Sequence, residues 1–197
     1  SLSNKNNTLS TLAHEGYPGH LYSYVFSKES NIHNVNKIMK NLTFGEGWAT
    51  YVQLKLFEHI DNSSVSQVKK IVCDYLYYDQ LLSYLAYSRV DAGINYEGWS
   101  IDEVLTYFNE VGFSFDYAGA KKLYNTLIEM PAEYPAYGYG MAAYVDIHNQ
   151  AIQELGEFYN VIDFNRAIQS KGWVTMEKFY EMVDEYIVEQ KTLYGIK

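Results

Sequence analysis

Phe44, Trp48, Val52, Leu56 and Ile60 recur at every fourth position. That spacing lines them up on one side of an α-helix and does not fit the alternation of a half-buried strand. The same period governs almost the whole chain. Between about residues 65 and 90, Val68, Ile71, Val72, Tyr75, Leu76, Leu81, Leu82 and Leu85 cover more than one face, which predicts a central helix packed on several sides. Ser100 and Glu103 form a capping box for a helix running to about Glu110, each side chain satisfying an orphan amide of the first turn. Asp116 opens a further helix that ends before Pro131. Met141, Tyr144, Val145, His148, Ile152 and Leu155 mark the next, and Phe179, Met182, Val183, Tyr186 and Ile187, capped by Thr175, mark the last. Breaks fall at 31–34, 61–64, 93–99, 111–115, 131–135 and 171–172, all short enough for a compact array. The fold class is all-α, a compact multi-helix array read as a single helical domain over residues 1–197.

Composition narrows the function. Fifteen Lys and Arg against 24 Asp and Glu leave a net charge of −9 with no dense basic run, so nucleic acid is not an expected partner. No stretch reaches the roughly 18–20 apolar residues of a transmembrane helix. Cys73 is the one cysteine; it has no internal disulfide partner and reads as a buried small hydrophobe. The first residues carry neither an initiator Met nor a signal-peptide pattern, so the chain reads as a fragment. Aromatic residues reach 17%, consistent with a cleft or with a Tyr-rich core whose edges reach water.

The chemistry concentrates at His14-Glu15-Gly16-Tyr17-Pro18-Gly19-His20. Imidazoles suit zinc, and a neighbouring Glu can take a proton from water activated by the metal. Yet six residues on an ideal helix turn by roughly 600°, leaving the two side chains about 120° apart. Pro18 offers the remedy: it has no N–H for the carbonyl of His14, and Gly19 permits an unusual backbone. A break there would swing His20 back toward His14. Glu46, 26 residues after His20, supplies a third ligand. Two His from one broken helix, a Glu from the next and an open fourth position make a catalytic zinc site.

The His14 to His20 segment, Glu46-Gly47-Trp48-Ala49, Arg89-Val90-Asp91-Ala92-Gly93-Ile94-Asn95 with Gly98-Trp99-Ser100, and Met130-Pro131 followed by Tyr137 and Gly140 together resemble the bacterial domain of unknown function 885 family, grouped with the gluzincin metallopeptidases. The resemblance covers nearly the whole chain. It implies the catalytic half of a helical metallopeptidase, with His14, His20 and Glu46 as Zn2+ ligands and Glu15 as general base on a peptide or related amide substrate. It further implies Tyr137 as an oxyanion donor, a task in which Asn95, able to donate a hydrogen bond, is expected to assist, and Arg89 either as a substrate-carboxylate contact or as a partner of Asp91 and its turn. Asp91 is expected to brace its turn. Family members are much longer, so the N-terminal remainder of the same protein is an implied partner, and an extracytoplasmic or lipid-anchored location is implied.

Asn95 stands where the family usually has His, Asn165 follows Phe164 where it usually has Phe-His, and Glu133 replaces a common Gln. These departures motivate a competing reading: a catalytically degenerate relative that binds peptides or cell-wall components, or a metal-stabilised scaffold. Among the other histidines, His148 lies on an apolar stripe and reads as a satisfied core residue, and His33 and His59 read as surface residues.

Overall fold

The computed structural model describes residues 2–32, 34–38, 40–61 and 67–196. Among the described residues ten α-helices follow one another: α1 (Leu2–Glu15), α2 (His20–Glu29), α3 (Asn34–Ile38), α4 (Leu42–Asp61), α5 (Gln67–Ala92), α6 (Ile101–Glu110), α7 (Tyr117–Glu129), α8 (Glu133–Leu155), α9 (Val161–Gln169) and α10 (Met176–Tyr194). A π-helical turn, Gly93–Glu97, extends α5, and a 3₁₀ turn, Gly156–Phe158, follows α8. No strand occurs among the described residues. The chain divides into two compact units, residues 1–53 with 141–197, and residues 54–140.

The first unit packs α1 on α2, α2 on α9 and α9 on α10. Its core is aromatic. Phe44, Trp48, Tyr144, Phe164 and Phe179 are all buried, and Phe44 meets Phe179 edge to face with centroids 5.3 Å apart, a favoured geometry for ring pairs. The expected stripe on α4 holds for Phe44, Trp48 and Val52, Leu56 is half-buried, and the side chain of Ile60 lies outside the described residues. The α10 stripe is buried throughout, and Thr175 caps it by accepting from the Lys178 amide. On α8 the stripe is interrupted: Met141, Tyr144, His148 and Leu155 are buried but Ile152 is 48% exposed.

The second unit joins α5 to α6 and α6 to α7, with α7 against the π turn. Val90, Val104, Phe108 and Leu127 form its core. The capping box at Ser100 and Glu103 is complete, and Asp116 accepts from the Gly119 amide to start α7. Two expected loops are shorter than their spacing suggests and partly helical. Of 93–99, residues 93–97 continue α5 as a widened turn, because Gly93 lacks the Cβ that would come within 2.4 Å of the Trp99 ring. Pro135 lies inside the first turn of α8, where no amide hydrogen is needed; only residues 130–132 break the helices. The central helix also departs from expectation. Within this unit α5 is not packed on several sides, since Val68, Ile71, Tyr75 and Leu82 are more than half exposed. The break expected at 61–64 and the surface reading of His33 fall outside the described residues.

Candidate metal centre

Helix α1 ends at Glu15, where the Gly16 amide makes a last bond to the Leu12 carbonyl at 2.9 Å. The chain then turns through Tyr17 and Pro18, joined by a cis peptide, and re-enters a helix at His20. Gly19 makes this turn fit. A Cβ there would lie 1.8 Å from the His14 carbonyl oxygen and 2.4 Å from that of Ala13, so only glycine lets the chain fold back over the end of α1. Trp48 on α4 secures the turn by donating its Nε1–H to the Pro18 carbonyl at 3.0 Å.

The result removes the 120° obstacle. The imidazoles of His14 and His20 sit edge to face with centroids 4.7 Å apart. The expected pairing from one broken helix is corrected in one respect: His14 closes α1 and His20 opens a separate helix, α2. Glu46 Oε2 from α4 lies 3.4 Å from His14 Nε2 and 3.3 Å from His20 Nε2. Among the described residues, this is the one group of three or more His, Cys, Asp or Glu side chains whose potential ligand atoms, all within 4.8 Å of one another, could hold a metal ion.

The electrostatics fit a cation. Glu46 Oε2 is buried and lacks a hydrogen-bond partner, a costly condition for an anionic oxygen. His14 Nδ1 lies 3.2 Å from Gln53 Oε1; in the tautomer that donates Nδ1–H to this acceptor, Nε2 offers a lone pair on the side of Glu46. A carboxylate oxygen and two imidazole nitrogens within 4.8 Å of one another are a donor set that a divalent ion can satisfy. Burial pushes the Glu46 carboxyl up, but the two imidazoles outweigh it and bring it down to about 2. The Glu46 contact raises His20, against burial, with the charges of Glu46 and Glu15 adding to the rise. Solvent reaches the three side chains unequally: His14 is 9% exposed, against 18% for Glu46 and 24% for His20. Glu15, next to His14, is exposed.

The remaining expected residues belong to the second unit. Tyr137 on α8 stacks parallel on Tyr84, centroids 5.5 Å apart. Asn95 donates both amide hydrogens, to Asp91 Oδ1 at 2.9 Å and to the Leu127 carbonyl at 3.1 Å, so its donor capacity is occupied within the fold. Arg89 pairs with Glu97 at 2.9 Å and lies over the Trp99 ring, 4.3 Å from its centroid. It borders a surface depression that also holds Glu103 and Glu110, acidic company for a substrate carboxylate. Asp91 is structural, as expected: buried, it accepts from Asn95 and from the backbone amides of Ala132 and Tyr134, anchoring the start of α8. Glu133 is the first residue of that helix, where a negative charge is favourable.

His148 is a core residue, its Nδ1 2.6 Å from the Tyr159 hydroxyl and its ring stacked on Tyr51. Cys73 is buried and His59 exposed. On α9, Asn165 Oδ1 is buried without a hydrogen-bond partner. Two residues were not read from the sequence, Gln53 and its partner Ser10. Gln53 follows Glu46 by seven positions and Ser10 precedes His14 by four, spacings that put each on the helix face of a ligand, but nothing in the sequence pairs one helix with the other.

Two solved structures share the fold: a putative lipoprotein from Colwellia psychrerythraea, with TM-score 0.73 and 18% identity, and a putative lipoprotein of unknown function from Shewanella oneidensis, with TM-score 0.72 and 18% identity. The alignments cover 91% of this chain in both cases but only 30% and 31% of those chains, so this chain spans less than a third of their length. No curated protein matches it. Residues 2–182 match the family described as bacterial protein of unknown function, DUF885, and the chain belongs to that family.

Proposed function

We propose that this chain carries the metal centre of a zinc-dependent metallopeptidase that hydrolyses a peptide or related amide bond. The observation behind this reading is the convergence of two imidazole nitrogens on the buried, otherwise unpartnered Oε2 of Glu46. A partly exposed His₂Glu donor set suits Zn2+, which when bound would polarise a carbonyl and lower the pKa of a coordinated water.

The chain's own residues have distinct tasks. His14, His20 and Glu46 present one donor atom each. Glu15, exposed at the end of α1 and adjacent to His14, takes a proton from the attacking water and returns it to the leaving amine. The walls that select the substrate would come in part from the remainder of a full-length protein, a reading supported by solved structures about three times the chain's length. Their description as lipoproteins supports an extracytoplasmic, lipid-anchored location.

A second reading, a degenerate binding relative or metal-stabilised scaffold, draws on Asn95, whose two donor hydrogens are already engaged. Elemental analysis and a peptide library separate the two. The hydrolase takes up about one zinc per chain, loses it in His14→Ala, and in Glu15→Gln keeps the zinc but not the turnover. Zinc uptake with no cleavage by the full-length protein favours the scaffold, and a chain that takes up no zinc at neutral pH removes both metal readings.

A further inference from the structure

We infer that Gln53 is a positioning residue: its carboxamide, paired with Ser10, holds His14 in the tautomer whose Nε2 lone pair faces His20 and Glu46. The inference rests on the zinc reading and extends it to two residues that would touch no metal. Ser10, His14 and Gln53 are each 7% exposed, so water competes little for their hydrogen bonds. Gln53 Oε1 faces His14 Nδ1 at 3.2 Å, and at the other end of the carboxamide Nε2–H donates to Ser10 Oγ.

The direction of that amide decides what His14 can do. With Oε1 toward the ring, Nδ1 keeps its hydrogen and Nε2 is left as a ligand. Turned through half a rotation, the amide would donate to Nδ1 and move the ring hydrogen to Nε2, against Glu46, where it would satisfy the carboxylate and leave no lone pair for an ion. Such outer partners commonly fix the tautomer of a metal-binding histidine. Here the acceptor is neutral. A carboxylate in its place would accept more strongly and make the imidazole a better donor to the ion. Gln53 therefore sets the affinity of the centre below the maximum its geometry permits.

The test uses the 197-residue chain and zinc alone, in competition with a chromophoric chelator at one fixed pH. Gln53→Met, unbranched and of similar length, is expected to weaken zinc binding ~10–100-fold, whereas Gln53→Glu binds at least as tightly as the parent. In the metal-free parent, ¹⁵N spectra of the imidazoles are expected to show His14 with its hydrogen on Nδ1, and in Gln53→Met a shift toward Nε2. Circular dichroism checks that each variant is folded; should Gln53→Met not be, the decision falls to Gln53→Glu, whose affinity must not drop below the parent's. Equal affinity in Gln53→Met, weaker binding in Gln53→Glu, or an Nε2–H His14 in the parent overturns the positioning role and leaves the zinc reading standing. A parent chain that binds no zinc overturns the zinc reading and the role of Gln53 with it.

Discussion

Trp48 donates its indole N–H to the carbonyl of Pro18 at 3.0 Å. The helix that carries Glu46 thus grips the turn that separates the two histidines, and the carboxylate and imidazoles are registered by one hydrogen bond between their supports. Replacing Trp48 by Phe keeps most of the ring and removes the donor. The expected loss is about 1 kcal/mol from the hydrogen bond, with more from the smaller ring, read by chemical denaturation, together with weaker zinc uptake.

Gly19→Ala is a sharper test of the same turn. A methyl 1.8 Å from the His14 carbonyl oxygen cannot be accommodated without moving α1 or α2. Overpacking of this kind costs about 1–3 kcal/mol. The variant should unfold at lower denaturant and bind zinc more weakly than the parent, whereas Gly98→Ala, at φ 76° with open space around it, should leave zinc binding unchanged.

In the second unit, Asp91→Ala strands three donors at once: the Asn95 amide and the backbone N–H groups of Ala132 and Tyr134. A loss of at least about 2 kcal/mol is expected. Asp91→Asn should lose less, since its remaining oxygen can serve the two donors that share Oδ1, Asn95 and Ala132. Equal losses in the two variants would contradict this account.

The exposed face of α5 should tolerate what the core does not. Ile71→Glu and Tyr75→Glu, at positions 60% and 67% exposed, are expected to change stability by no more than about 0.5 kcal/mol. Leu127→Ala, in the core of the same unit, is expected to cost about 2–5 kcal/mol. Denaturation midpoints measured side by side decide the matter.

Glu103 makes the start of α6 pH-sensitive. The Ser100 amide and hydroxyl hold its carboxyl below its ordinary value. A depressed carboxylate contributes stability above its unfolded pKa and loses it as pH falls through the folded one. The difference in melting temperature between the parent and Glu103→Gln should therefore be present at neutral pH and shrink in acid.

Local signals were readable without the structure. Ser100, Asp116 and Thr175 cap the helices their spacing announces, because a cap involves only three or four neighbouring residues. The histidine pair was legible for the same reason: the objection and its remedy both lie between residues 14 and 20. What escaped depended on distance or on brevity. Helix α9 is nine residues long, too short for Phe164 and Ile168 to declare a period. The apolar content of α5 says that a face is greasy but not which neighbours cover it. Gln53 became visible only when α4 was laid beside α1, since a lone Gln on a buried helix has many uses.

The three ligand atoms are offered by the end of α1, the start of α2 and the middle of α4. The centre is consequently not a portable motif. Transplanting the seven residues from His14 to His20 onto another scaffold would carry two imidazoles and no means of holding them edge to face. The smallest graft that preserves the geometry is the α1–α2 hairpin together with the stretch of α4 from Glu46 through Trp48 to Gln53, and a designer who copies only the histidines should recover a peptide that chelates weakly and without selectivity.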